Sequence, residues 1–369
     1  MLNFERRNNY YYCYKDKILL YKESSQHISA VTKLMRIKKQ NWFEFIEKIL
    51  ELNNFQDPKK LNLPLRLKLF QRAFNQTLKK NYPHYNPVVI KSVIKCPNCD
   101  STKFKKDIFV NEFSRPFTIK VCAVCALGTQ FPLPLSSEIE KIYQSENYFS
   151  GNTTQTGYYN YARESKWRIE KANKYLNQVL RATKLDTQNI RALDVGCGYG
   201  YFVKALNDRS IYSDGLEVSS EARNFAKNNY GLNLIPEDLS TALRKGKINE
   251  NSYNLITLWD VIEHFSDLNS QIKTISKLLK PGGFIALRTN NLDSIEEKIF
   301  GPYFHSIKNE HLFYFSPSSL ENIFLKHGLK KIKSWTHTHI FLAFMSIKER
   351  NIINKNNQGG DIFYICQKN

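Results

Sequence analysis

Across its 369 residues the sequence has no apolar run approaching the roughly 20 residues needed to cross a bilayer. Met1 to Asp16 is polar and tyrosine-rich and lacks the apolar core of a secretory signal. Acids are scarce: 34 Asp and Glu stand against 54 Lys and Arg, a net charge of +20. No arginine-rich run, RNA-binding sheet motif or basic heptad accompanies that excess. These absences set three expectations: a cytoplasmic location, no membrane span, and a nucleic-acid partner that the charge permits but no motif favours.

The positive charge is uneven. Residues 1–95 carry 19 Lys and Arg against 7 acids, whereas residues 191–290 carry 12 against 11. A basic N-terminal module suits an anionic partner, but a solvated surface is the plainer reading and the preferred one. Four of the seven cysteines fall as Cys96-x-x-Cys99 and Cys122-x-x-Cys125. Two such knuckles supply four thiolates for a closed tetrahedral site, which suits structural Zn2+. Redox chemistry is the lesser alternative, since a thioredoxin-type site needs one pair. Between the knuckles, 104–113 and 117–121 read as the strands of a zinc ribbon.

The chain divides into four stretches. Residues 1–92 are a basic region read as helical, with apolar residues at helical spacing over 28–52 and 65–78. Residues 93–135 are the zinc ribbon, read as a small separate unit. Residues 136–190 are a connector, with a loop tract over 151–161 and a helical lid over 164–185. From 191 to 369 strands and helices alternate. Strands are read at 191–195, 212–218, 232–235, 253–258, 284–288, 329–335 and 362–366, which implies an α/β fold: a doubly wound, mostly parallel seven-stranded sheet.

The first of these strands runs through Asp194 into Gly196-Cys197-Gly198-Tyr199-Gly200-Tyr201. A dinucleotide turn wants G-x-G-x-x-G, and tyrosine occupies the last position here. Glu217-Val218 closes the second strand, where an acid can accept from both hydroxyls of a ribose. Asp238-Leu239 follows the third, with Glu237 as rival, placed for an exocyclic amine. Trp259-Asp260 ends the fourth. Taken together, these motifs resemble motifs I and IV of class I S-adenosylmethionine (SAM) dependent methyltransferases, Rossmann-like proteins. The resemblance implies SAM held by Asp194, Gly196, Cys197, Gly198, Gly200, Tyr201, Glu217, Val218, Asp238, Leu239, Trp259 and Asp260. Residues 191–369 are then the methyltransferase domain. The Glu263-His264 pair that trails motif IV is expected to pack.

A wider resemblance covers the ribbon at Cys96, Cys99, Cys122 and Cys125, the Leu133-Pro134 exit, Tyr148-Phe149, the Glu310-His311-Leu312-Phe313-Tyr314-Phe315-Ser316 stretch and the helix from Ser318 to Gly328. It is similar to a bacterial family that joins an N-terminal zinc ribbon to a SAM methyltransferase; residues 1–90 fall outside it. The resemblance implies methyl transfer to a small-molecule or sugar-type acceptor in surface-polysaccharide or secondary metabolism. Relatives that methylate sugar carbons carry a longer C-terminal domain, so O-methylation is expected. A hydroxyl acceptor needs a base. His311 is the first candidate, with Glu310 as partner and a packing role as the equal alternative; His264 and His305 are weaker. The other function classes are a methyltransferase acting on RNA or protein, docked by the basic N-terminal region, and a non-catalytic SAM-binding or zinc-binding scaffold. The Asn/Asp-Pro-Pro-aromatic tetrad of base-amino enzymes does not follow the fourth strand, which counts against that version.

Overall fold

The computed structural model describes residues 2–7, 10–15, 18–24, 39–52, 61–78, 94–110, 116–144, 147–150, 161–338 and 347–369. Most of the 151–161 tract and the stretch 28–38 of the first expected helix lie outside these residues.

The opening segment corrects the helical reading of the N-terminal region. Strands β1 (Leu2–Arg7), β2 (Tyr10–Lys15) and β3 (Ile18–Ser24) form a three-stranded antiparallel sheet. Runs of Tyr, Ile and Leu are strand formers, and the polar character of the segment masked that propensity. The helices expected beyond it stand as α1 (Lys39–Leu52) and α2 (Leu63–Ala73), the latter continuing as a π-helical turn over Phe74–Leu78. The Asn62 side chain caps α2 by accepting from the Leu65 amide at 3.1 Å.

The ribbon contains β4 (Phe104–Val110), β5 (Phe117–Cys122) and β6 (Gly128–Phe131). After it come α3 (Ser136–Gln144), α4 (Asn147–Ser150) and α5 (Ser165–Thr183). The α/β unit then runs β7 (Arg191–Val195), α6 (Tyr201–Asn207), β8 (Tyr212–Leu216), α7 (Ser220–Tyr230), α8 (Leu239–Arg244), β9 (Tyr253–Trp259), α9 (Leu268–Leu278) and β10 (Leu279–Asn290). It closes with α10 (Ile295–Phe300), β11 (Phe313–Tyr314), α11 (Pro317–Lys326), β12 (Leu329–His337), α12 (Ile347–Lys355) and β13 (Asp361–Lys368).

The main sheet has the order β12-β13-β10-β9-β7-β8. Strands β10, β9, β7 and β8 pair in parallel, and β13 is antiparallel to both neighbours. Six full strands stand where seven were expected. The third is reduced to a parallel bridge between Leu216 and Ile235. There the Ile235 amide donates to the Gly215 carbonyl at 2.8 Å, and the Ile235 carbonyl accepts from Glu217 at 3.0 Å. The pairing goes no further than this bridge. The result is a doubly wound, mostly parallel sheet of Rossmann-like type.

Alternation along the strands buries both faces of the sheet. Ala192, Leu255, Ala286 and Ile365 pack against α5 and α6 through Leu176, Phe202 and Leu206. Leu193, Ile256, Leu287 and Tyr364 face α9 and α11 through Ile272, Ile275 and Phe324. No helix among the described residues is long and apolar enough to cross a membrane.

The ribbon was expected to stand apart, and it does not. Strand β11, from the far side of the chain, pairs antiparallel with β6 and completes a four-stranded sheet in the order β11-β6-β5-β4. Ile108, Val110, Phe117 and Ile119 on one face pack against Phe45, Ile49, Phe70 and Phe74 of the N-terminal helices. Cys96, Cys122, Cys125 and Leu127 share the core of the main sheet with Leu312, Phe313 and Phe315. The ribbon is therefore clamped between the N-terminal helices and the α/β core.

Candidate functional site

At the carboxyl end of β7 the chain turns sharply. Gly196 has φ +63°, and a Cβ there would lie 2.8 Å from Val261 Cγ2. Gly200 opens α6 with φ +75°, and a Cβ would meet Leu232 Cδ1 at 2.8 Å. Both positions are closed to side chains by conformation and by space. The Gly198 amide donates to Glu217 Oε2 at 2.8 Å, and the Ser219 amide donates to Oε1 at 2.8 Å. Burial raises the Glu217 pKa above the ordinary carboxylate value, against the pull of those amides.

This turn borders a cavity of about 290 Å3 at the carboxyl ends of β7, β8 and β9, where open parallel sheets bind ligands. Of the predicted cofactor residues, Gly196, Gly198, Glu217, Val218, Asp238, Leu239, Trp259 and Asp260 line it. Asp194, Cys197, Gly200 and Tyr201 stand behind the wall. Asp194 accepts from the Thr257 hydroxyl at 2.6 Å, and burial lifts its pKa to about 7. Cys197 is buried with Val203 and Ala226. The Tyr201 hydroxyl lies 2.9 Å from Ser165 Oγ and donates to the Tyr161 carbonyl at 3.0 Å, tying the start of α5 to α6.

Asp238 caps α8 through Thr241 N at 3.0 Å. Its burial would raise the pKa, but the Thr241 bonds prevail and hold it low. Asp260 takes a left-handed φ of +59°, uncommon for a residue with a side chain. Arg288 holds it there, with Nη1 2.6 Å from Asp260 Oδ2 and Nε 2.9 Å from Asp361 Oδ2. Trp259 packs at a tilt against Tyr175 and Phe202, and its indole nitrogen is buried without a partner.

Aromatic rings from the connector roof the cavity. Tyr143 meets Tyr148 edge-on at 5.2 Å, Tyr148 meets Phe149 at 5.0 Å, and Phe149 meets Tyr161 at 5.2 Å. The sequence reading picked out the Tyr148-Phe149 pair and assigned no role to Tyr143 or Tyr161. The Tyr143 hydroxyl is buried without a hydrogen-bond partner. Burial, then Glu310, Glu263 and Glu217, keep it protonated.

Two of the candidate histidines meet at the polar end of the cavity. His264 lines the wall and His311 stands behind it, the two rings meeting edge-on with centroids 4.7 Å apart. His264 Nδ1 lies 2.9 Å from the Glu310 carbonyl. A carbonyl only accepts, so Nδ1 carries the proton and Nε2 the lone pair. Burial lowers the His264 pKa and keeps the ring neutral. Glu310 thus contributes through its backbone. Glu263 is buried beneath, its pKa lifted to about 8 by burial first and by Asp260 second. No local sequence signal links residues 264 and 311. The link is the backbone bond from Leu312 N to Glu263 O at 2.8 Å, beside the contact of His264 Nδ1 with the Glu310 carbonyl.

The four cysteine sulfurs of the ribbon lie within 4.8 Å of one another. Cys96 and Cys125 are 3.5 Å apart and Cys99 and Cys122 are 3.6 Å apart, far beyond an S–S bond. The hydrogen bond from Cys96 pushes the Cys125 thiol down to about 4, and that bond and burial push Cys96 up.

Residues 165–334 match the family described as a methyltransferase domain. A ubiquinone biosynthesis O-methyltransferase of Colwellia psychrerythraea is 30% identical over 122 residues, 30% of this chain and 48% of that protein. The Vibrio cholerae protein of the same name is 31% identical over 104 residues, 27% of this chain and 42% of that protein. The chain spans about half the length of the curated relatives it matches. A SAM dependent methyltransferase from Archaeoglobus fulgidus shares 20% identity and a TM-score of 0.43 over 57% of this chain and 100% of that one. A 1,6-didemethyltoxoflavin-N1-methyltransferase from Burkholderia thailandensis shares 12% identity and a TM-score of 0.43, over 71% and 99%.

Proposed function

We propose that the cavity binds S-adenosylmethionine and that the chain transfers its methyl group to a hydroxyl of a small-molecule or sugar-type acceptor. One observation carries this: the glycine turn, Glu217, Asp238-Leu239 and Trp259-Asp260 converge on a single cavity whose far end is the polar cluster at His264. The matched methyltransferase domain and the O-methyltransferase names of the relatives support it.

The residues present fit the cofactor. Gly196 and Gly198 leave room for close approach to the backbone, and Glu217 is fixed by two amides for a ribose. The Leu239 amide and the Asp238 acid serve the base, and the unpartnered Trp259 indole and aromatic roof enclose the middle. When bound, S-adenosylmethionine supplies a methyl group already activated on a sulfonium. The chain's part is to align the acceptor hydroxyl with that methyl, exclude water beneath Tyr143, Tyr148 and Phe149, and dispose of the hydroxyl proton at the His264 end. The four cysteines are assigned to structural Zn2+, because a closed thiolate set has no open position.

The test is incubation with methyl-labelled SAM and fractionated cell extract. Label is expected in small molecules or glycan precursors. Label confined to RNA or protein would overturn the acceptor class in favour of docking through the basic N-terminal region.

A further inference from the structure

Three buried polar atoms on the cavity wall have no hydrogen-bond partner among the described residues: the Tyr143 hydroxyl, the Trp259 indole nitrogen and Gln271 Oε1. The first can donate or accept, the second only donates, and the third only accepts. No motif singles out Gln271. It stands near the start of α9, where its backbone amide donates to the Asp267 carbonyl at 3.0 Å, so the side chain leaves a fixed backbone. Its Nε2 donates to Ser240 Oγ at 3.1 Å, which commits the nitrogen and leaves the oxygen for the cavity. Ser240 directly follows Asp238-Leu239 on α8, so Gln271 is tied to the stretch assigned to the base. A buried amide oxygen without a donor is a cost to the ligand-free protein, and a ligand that brings an N–H removes that cost.

Asp238 is the neighbouring acceptor on the same wall. Its Oδ1 accepts from the Thr241 amide at 3.0 Å, and a carboxylate keeps lone pairs beyond that bond. We infer that Gln271 selects the nucleobase: its amide oxygen accepts one hydrogen of the exocyclic amine of adenine while Asp238 accepts the other. An amine with two hydrogens matches two acceptors carried on adjacent helices. A 6-oxo purine presents a carbonyl at that place, so three acceptors would face one another with no proton among them. A site built to accept from an N–H rejects an analogue lacking it far more strongly than an apolar pocket rejects a change of shape. The inference rests on the reading of the cavity as a S-adenosylmethionine site and adds the residue that sets its selectivity for the base.

The orientation of the amide makes the inference sharp. Ser240 Oγ can donate as well as accept. A reversed amide would turn Nε2 to the cavity and favour the 6-oxo base, so the two orientations predict opposite preferences.

The experiment is isothermal titration of the full-length protein with S-adenosylhomocysteine and S-inosylhomocysteine, which differ only in the base. The wild type is expected to bind the adenine compound at least 30-fold more tightly. Gln271→Leu is expected to lose about 10-fold in affinity for S-adenosylhomocysteine and to stay within threefold for S-inosylhomocysteine; Gln271→Met serves where the leucine variant does not fold. Gln271→Glu, whose carboxylate only accepts, is expected to keep the preference for adenine. Unchanged discrimination in Gln271→Leu, equal loss of both compounds as a structural role would give, lost preference in Gln271→Glu, or a wild-type preference for the 6-oxo base each overturns the role of Gln271. S-adenosylhomocysteine bound without base discrimination overturns this inference alone. No binding of S-adenosylhomocysteine by the wild type overturns the S-adenosylmethionine reading together with it.

Discussion

The Gly198 amide and the Glu217 carboxylate are joined by a 2.8 Å hydrogen bond. The turn after β7 and the acid after β8 are therefore one rigid piece, locked before any ligand arrives. Glu217→Ala removes the acceptor of two backbone amides as well as the proposed ribose contact. SAM affinity measured by isothermal titration is expected to fall 10- to 100-fold, about 1.4–2.7 kcal/mol. Unchanged affinity would remove Glu217 from the site.

Asp194 gives the fold a pH dependence. In the folded state it keeps its proton to about 7, whereas the ordinary aspartate value is 3.8. Between those values the folded state binds more protons, so stability declines as pH rises, and the loss is complete above pH 7. Asp194→Asn retains an acceptor for the Thr257 hydroxyl and cannot ionise. Thermal melts of the variant against wild type should show a relative gain from pH 5 to pH 8, on the order of 2–4 kcal/mol. A difference that stays flat with pH would contradict this.

The Tyr143 hydroxyl has lost its water without gaining a partner. Tyr143→Phe is expected to raise the stability of the ligand-free protein by about 1 kcal/mol, seen as a higher midpoint in urea. A lower midpoint would mean that the hydroxyl is satisfied in solution.

Metal analysis of the purified protein should find one tightly held zinc in the cysteine cluster. Cys125→Ser should abolish it. Cys125 shares a core with Leu312 and Phe313, so the damage reaches the strand that follows His311. A fall in Tm of roughly 10 °C is expected, and retention of both zinc and Tm would refute the assignment.

Local patterns were readable from the chain. The glycine turn, Glu217, Trp259-Asp260 and the paired knuckles are each set by a few neighbouring residues. What depends on distant contacts was not. Tyr10-Tyr11-Tyr12 forms strand because it finds partners on both sides. The third strand keeps only the Leu216–Ile235 bridge. His264 outranks His311 at the cavity because Leu312 bonds to Glu263, and spacing along the chain does not encode that bond. Asp194, Cys197, Gly200 and Tyr201 follow the motif but serve it from behind.

The pairing of Gly128–Phe131 with Phe313–Tyr314 bears on how the chain is made. The ribbon emerges from the ribosome long before the segment that closes its sheet. Until then β6 presents an open hydrogen-bonding edge, the kind of surface that recruits wrong partners. Phe117 and Ile119 beside it are exposed for the same interval unless the N-terminal helices cover them first. Synthesis order thus assigns those helices a custodial task during translation, separate from any role in the finished molecule.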